Sequence, residues 1–213
     1  MKRGFICVLI ALLSCAGSCA YASGRYESDH WQEHRNSLSI SGGYVSGFWL
    51  AKSIIAWIPA AASHSRNWDY YGNYGLQYYY QLNSWCRMGT KATWEGDQYD
   101  IYESNKTDAN KKGETTNHTL SLVASVQFTY VNREHVQVYS GLDLGAGVFF
   151  TSTKYEPGYS SSSNTSANWD GAFLPAFNVT PLGVAFGSWR VYGYVETNIG
   201  YDAFAKIGIG VHL

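Results

Sequence analysis

The sequence predicts an all-β fold, an eight-stranded antiparallel up-and-down transmembrane β-barrel with a short helical segment in its first external connection. Apolar and polar residues alternate with period two through most of the chain, which is typical of strands with two different faces. Only 15% of residues are charged, whereas 18 are Tyr and 8 are Trp. Beyond the N-terminus, however, no run reaches the ~18 apolar residues of a membrane helix. A chain that crosses lipid without helices must close its sheet, because lipid cannot satisfy an open backbone edge.

The N-terminus has the features of a secretory signal peptide covering residues 1–22. Lys2 and Arg3 precede an apolar segment at residues 5–13, and Ala20-Tyr21-Ala22 matches the small-x-small cleavage pattern. We expect cleavage after Ala22, which makes Ser23 the first mature residue. A lipoprotein is the alternative, because Cys15 and Cys19 each follow small residues and could carry a lipid.

Residues 23–36 are predicted to form a periplasmic tail, and residues 37–213 the outer-membrane barrel. The tail contains His30-Trp31-Gln32-Glu33-His34, the H-x-x-E-H pattern of one class of zinc proteases. It lies in a charged stretch with no obvious third ligand, so we predict no metal site and no cofactor. Cys86 is the sole cysteine after the signal peptide, which excludes an intramolecular disulfide. A net charge of −1 gives no indication of a nucleic-acid partner.

The eight strands follow from the alternation, which is clearest at the C-terminus. There the apolar face carries Ala205, Ile207, Ile209, Val211 and Leu213, and the other face carries Lys206, Gly208, Gly210 and His212. The predicted strands lie at residues 37–50, 76–82, 88–95, 120–130, 136–148, 171–186, 191–199 and 205–213. Pro175 and Pro181 predict a bulge or a change of register in the sixth strand. The apolar segment at residues 54–58, which Pro59 ends, predicts the short helix.

The connections between these strands alternate in length. Tight turns are predicted at residues 83–85, 132–134 and 187–188, and long connections at 51–71, 103–117 and 154–170. Short periplasmic turns and longer external loops are typical of outer-membrane barrels, with both termini in the periplasm for eight strands. Trp85, Tyr130 and Trp189 lie at the short-turn end, where interface aromatics belong. The long connections are the candidate contacts for an extracellular ligand.

Six charged residues share the predicted inner face: Arg87, Lys91, Glu95, Asp143, Glu196 and Lys206. An eight-stranded barrel has an interior just wide enough to be filled by side chains. Buried ions there need partners, because an isolated ion is costly to bury. We therefore predict a lumen charge network that closes the barrel, which disfavours a solute pore. A catalytic carboxylate or an ion path is the alternative for these residues.

Several segments together resemble the small outer membrane protein β-barrel domain family of Gram-negative bacteria. They are YGLQYYYQLNSW at residues 74–85, YSGLDLGAG at 139–147, VTPLG at 179–183, YGYVETNIG at 192–200 and IGIGVHL at 207–213. The resemblance implies an outer-membrane location, with membrane lipids, lipopolysaccharide and the barrel-assembly machinery as partners, and it implies no reaction. Members of the family usually end in an aromatic residue that the machinery reads. Leu213 departs from that, so we expect weaker recognition by the machinery, although the hydrophobic alternation before it is intact. The expected assembly signal comprises Ile207, Ile209, Val211 and Leu213.

The sequence thus favours a non-enzymatic envelope-structural or surface-interaction, adhesin-like role through the external loops. The alternative is an outer-membrane lipid-modifying enzyme, such as a lipid A acyl hydrolase or transferase. Such enzymes use His, Ser and an acid near the external rim, for which His118, Ser121 and Glu196 are the candidates. His118 and Ser121 are three residues apart, however, so a strand would direct them to opposite faces.

Overall fold

The chain folds into one closed antiparallel barrel, here in a computed structural model that describes residues 35–46, 65–102, 110–156, 172–188 and 190–213. Each strand pairs with its neighbour in sequence, and the last strand pairs back with the first. The predicted eight-stranded up-and-down topology is therefore confirmed. The strands are β1 Asn36–Ser46, β2 Ser65–Asn83, β3 Cys86–Tyr102, β4 Lys111–Asn132, β5 Val136–Tyr155, β6 Ala172–Gly187, β7 Val191–Gly200 and β8 Ala203–His212.

The barrel buries its polar residues and exposes its apolar ones. In β4, Ser121, Ser125 and Gln127 are buried, whereas Leu122 is 65% exposed. In β8, Lys206 is buried and Ile209 is exposed. The period-two alternation of the sequence therefore corresponds to a polar interior and an apolar exterior. The described residues contain no helix that is both long and apolar enough to cross a membrane.

Four strands are longer than the sequence pattern indicated: β2 to β5 have 19, 17, 22 and 20 residues. Residues 65–71, 111–117 and 154–155 are strand residues, which corrects the connections predicted at 51–71, 103–117 and 154–170. Asn36, predicted to end the tail, begins β1. The alternation fades in these extensions because the outward residues become polar while the backbone pairing continues. The predicted boundaries thus followed the apolar exterior rather than the hydrogen-bonded ladder.

The extensions form one raised side of the barrel, which we call the external wall: residues 65–72, 96–102, 111–118 and 150–155. The β1–β2 ladder ends at the pair Gly43–Asn73, and the β5–β6 ladder ends at Phe149–Ala172. β3, β4 and β5 remain paired as far as Gly113 and Tyr155. β7 and β8, on the other side, have only 10 residues each. The two sides of the barrel therefore differ in height at the end opposite the short turns.

The two prolines of β6 behave differently. The β6–β7 register shifts between Val179 and Leu182, which places the predicted bulge at Pro181. Pro175 lies in a regular ladder opposite Ala146 of β5. It precedes Asn178, where the β6–β7 ladder begins, so only one side of β6 is paired there. A missing N–H is tolerated at such an edge position.

Several predicted features lie outside the described residues. They are the signal peptide at 1–22, the lipidation candidates Cys15 and Cys19, the His30–His34 motif, the short helix at 54–58 and Trp189.

Candidate functional site: the closed lumen

A buried ion pair crosses the middle of the lumen. Lys91 Nζ of β3 lies 3.1 Å from Asp143 Oδ2 of β5, and neither side chain is exposed to solvent. The intervening strand β4 supplies Ser125, whose Oγ donates to Asp143 Oδ1 at 2.6 Å. Asn178 of β6 donates to Asp143 Oδ2 at 3.0 Å. The carboxylate thus accepts hydrogen bonds from three strands, which is how a buried anion is retained in a narrow interior.

Nearer the short turns, Arg87 lies between two tyrosine rings. Its guanidinium carbon is 5.0 Å from the ring centre of Tyr79 and 4.8 Å from that of Tyr139. Arg87 Nε also donates to Gln127 Oε1. Tyr139 Oη donates to Glu196 Oε1 at 2.9 Å, while Glu196 Oε2 accepts no hydrogen bond from the described residues. Cation–π contacts and hydrogen bonds, rather than a direct ion pair, hold this layer.

The ion-pair partner of Lys206 is not one of the residues that the sequence pattern indicated. Glu196 lies directly opposite Lys206 in the β7–β8 ladder, yet Lys206 Nζ pairs with Asp202, and both side chains of that pair are fully buried. Asp202 is held in the two-residue turn after β7, where its Oδ1 accepts the N–H of Ala203 at 2.8 Å. Gly200, with φ of 150°, begins this turn in a conformation that disfavours other residues. Turn geometry therefore selects the partner of Lys206.

Glu95 is buried on the same face of β3 but lies apart from the Lys91–Asp143 pair. It lines a small separate cavity with Asn73 of β2 and Ser121 of β4. Of the six predicted lumen charges, the structure thus joins Lys91 directly to Asp143. It links Arg87 to Glu196 through Gln127, whose Nε2 donates to Glu196 Oε1 at 3.4 Å.

Tyrosine rings occupy further parts of the interior, and each of them lies opposite a glycine of the neighbouring strand. A Cβ atom on Gly183 would lie 2.3 Å from the ring of Tyr139, its neighbour across the ladder. The same arrangement recurs at three further cross-strand pairs: Gly89 with Tyr79, Gly208 with Tyr194 and Gly210 with Tyr192. Each ring therefore lies against bare backbone on the next strand. The glycines let four large rings fit beside one another in the lumen.

The residues of the enzyme alternative are not brought together. His118 stacks on Trp94 of the outer face, with ring centres 5.6 Å apart, whereas Ser121 is buried inside. Glu196 is hydrogen-bonded to Tyr139, in another part of the lumen. The described residues also contain no group of three or more His, Cys, Asp or Glu side chains that could hold a metal.

The remaining predicted site residues lie on the outer surface. Ile207, Ile209, Val211 and Leu213 are all exposed. Trp85 stacks on Phe128 at 6.1 Å between ring centres. Tyr130 is half-buried and donates to Ser140.

Sequence reasoning missed several lumen residues, among them Tyr79, Asn178 and Asp202. The first two share the inward phase of their strands and could have been found by extending the alternation to uncharged residues. Asp202 carried no such signal, because turn residues have no fixed phase.

A closed barrel with a polar, side-chain-filled interior and an apolar exterior is the architecture of membrane-spanning β-barrels. No protein-family model and no curated protein matches this sequence. Among solved structures, the N-terminal β-barrel domain of OprF from Pseudomonas aeruginosa matches with a TM-score of 0.41 and 10% identity, covering 84% of this chain and 99% of that one. Ail of Yersinia pestis, in complex with the heparin analogue sucrose octasulfate, matches with a TM-score of 0.38 and 16% identity, covering 83% and 94%.

Proposed function

We propose that the chain is a non-enzymatic outer-membrane β-barrel, exported by a signal peptide, whose external wall serves surface interaction. The observation that carries the proposal is the reversed burial, with ions inside and aliphatic side chains outside. Large exposed apolar patches are rare on soluble monomers. Here the apolar surface runs around a closed barrel, and on β4 it extends from Leu120 to Tyr130 along one face. That is 11 residues, close to the ~9–11 that a tilted strand needs to cross lipid.

The external wall supports a surface-interaction role over a purely structural one. The outward face of β4 becomes polar above the apolar belt, at Lys112, Glu114 and Thr116, while pairing with β3 and β5 continues. Lys111 bridges Asp100 at 2.6 Å and Glu114 at 3.5 Å on this wall. A hydrogen-bonded sheet standing clear of the membrane is more rigid than loops of the same length, and rigid scaffolds suit recognition.

The lumen supports a non-conducting barrel. Tyr79, Lys91, Gln127 and Tyr139 are each at most 2% exposed and occupy the section around the central ion pair. Buried side chains that fill the interior of an eight-stranded barrel support a lumen without a path for a hydrated solute.

Cysteine labelling in intact cells tests the location and orientation. A Ser161→Cys variant, in the connection after β5, should react with a membrane-impermeant maleimide. The matched variant Ser84→Cys, in the β2–β3 turn, should react only after the outer membrane is permeabilised. Labelling in the reverse order, or of neither variant in outer-membrane fractions, would overturn the proposed orientation.

Two further measurements address the role. Deletion of the gene should leave the lipid A mass spectrum unchanged, whereas an altered acyl pattern would support the lipid-modifying enzyme.

Cells carrying the intact barrel should adhere to protein-coated plastic more than cells whose external wall is shortened by removing the ladder partners 99–101 and 113–115. Equal adherence would leave only the envelope-structural role.

A further inference from the structure

We propose that a groove on the outer surface of the barrel holds one acyl chain of a zwitterionic phospholipid whose head group carries an ammonium. The groove crosses five adjacent strands, from Ile207 of β8 through β1, β2 and β3 to Leu120 of β4. Its volume is about 780 Å³, which lies within the ~300–1,000 Å³ of ligand pockets. Five strands cover four interstrand spacings of ~4.8 Å, so the groove is about 19 Å long. The site is therefore elongated, as an acyl chain is.

Small residues form the floor of the groove, and larger side chains form its sides. Gly42 lies between Ile207 and Tyr74 on the neighbouring strands, and a Cβ added to it would meet only the ring of Tyr74, at 3.8 Å. Ala92 lies opposite Leu76, a longer side chain that is exposed. A chain in the groove contacts protein at its sides as well as its base, whereas a lipid elsewhere on the barrel contacts protein on one side. Because dispersion contacts add up, the chain in the groove is harder to displace.

The groove descends from the external edge of the apolar belt toward the middle of the barrel. Leu120 lies 12 residues from the last residue of β4, whereas Ile207 lies 5 residues from the last residue of β8, and both strands end on the short-turn side. At the upper end, Trp94 stacks on Tyr74 with ring centres 5.8 Å apart. Tyr and Trp are enriched where a membrane protein meets the lipid–water interface. One end of the groove thus reaches the interface and the other the hydrocarbon, as the acyl chain of a lipid does.

The position of the groove indicates a hydrocarbon occupant. None of the described residues that line it is charged, and its sides are aliphatic and aromatic. It is continuous with the apolar belt by which a transmembrane barrel contacts lipid, so acyl chains surround it. A soluble ligand would have to displace them.

The charges above the upper end of the groove indicate the head group. On β2 and β3, the charged outward side chains that the structure describes there are Asp69 and Asp100. Lys111 of β4 already bridges Asp100 and Glu114. Carboxylates repel the phosphates of lipid A and attract an ammonium group. A phospholipid such as phosphatidylethanolamine therefore fits this end of the groove better than lipid A.

Native mass spectrometry of the full-length barrel tests the groove. The barrel is incubated in a mild detergent with equal amounts of lipid A and of phosphatidylethanolamine and phosphatidylglycerol that have the same acyl chains. One phosphatidylethanolamine per barrel should remain bound. Ala92→Leu, which fills the floor of the groove, should reduce the retained lipid about tenfold, because displacing the chain forfeits on the order of ten carbon–carbon contacts. Ala124→Leu is the matched control, since Ala124 is an exposed residue of β4 outside the groove, and it should retain as much lipid as the parent chain.

Both substitutions add the same aliphatic side chain to the outer surface and leave the lumen unchanged, so both barrels should fold. Equal retention of lipid by Ala92→Leu and Ala124→Leu, whether high or low, would overturn the groove, because the whole belt would then hold the lipid. Preferential retention of lipid A or phosphatidylglycerol would contradict the ammonium head group. A dimer that Ala92→Leu dissociates would assign the groove to a second copy of the chain. None of these outcomes depends on whether the external wall serves surface interaction.

Discussion

Replacement of Asp143 by Leu should destabilise the barrel more than any conservative change on its surface. The substitution removes the acceptor of three donors: Lys91 Nζ at 3.1 Å, Ser125 Oγ at 2.6 Å and Asn178 Nδ2 at 3.0 Å. Lys91 has no solvent contact and would be left as a buried ion without its counter-charge. Breaking a buried pair in this way typically costs about 3–5 kcal/mol of unfolding free energy. Lys91→Met should cost less, because Asp143 keeps its two other hydrogen bonds.

The double variant Lys91→Met/Asp143→Leu separates the ion pair from simple loss of packing. Apolar replacement of both partners is often neutral or stabilising, so it should recover much of the loss seen in Asp143→Leu. The measurement is urea unfolding in phospholipid vesicles, followed by tryptophan fluorescence. Glu114→Gln is the matched control, because Glu114 forms only a partly exposed pair with Lys111. If Asp143→Leu and Glu114→Gln unfold at the same urea concentration, the lumen is hydrated and the buried ion pair does not stabilise the barrel.

Three further predictions concern packing, the lipid face and export. Gly183→Ala should lower the free energy of unfolding by about 1–3 kcal/mol, because its Cβ would overlap the ring of Tyr139. Gly42→Ala is the control: its Cβ would have no neighbour nearer than 3.8 Å, so it should leave the free energy of unfolding unchanged in the same assay. Ile209→Arg should cost about 2–4 kcal/mol in a bilayer if that face contacts lipid, and unchanged stability would contradict the assignment. N-terminal sequencing of the outer-membrane protein should start directly after Ala22, whereas a start at a diacylglyceryl-cysteine would identify a lipoprotein.

In the external wall, the alternation of apolar and polar residues no longer indicates where the strands lie. Between Leu120 and Tyr130 one face of β4 is apolar and the other polar, and the strand could be located from this contrast. At residues 111–117 both faces are polar, so the amphipathic contrast disappears although the ladder continues. A weaker signal remained in the β-branched Thr115 and Thr116, since such residues favour strands. Strand propensity alone, however, does not distinguish a paired wall from a polar loop.

The fold class, the number of strands and the inward or outward direction of most side chains could be predicted from the amino-acid sequence. These properties follow from period-two alternation, which is local and therefore readable along the chain. It also placed Lys91 and Asp143 in the lumen, but many pairings among the inward charges were compatible with that phase. That Lys91 reaches across β4 to Asp143, and that Lys206 binds Asp202 instead of Glu196, became evident from the folded barrel alone. These choices depend on the register, the barrel closure and the turn at Gly200, which bring together side chains that no local pattern relates.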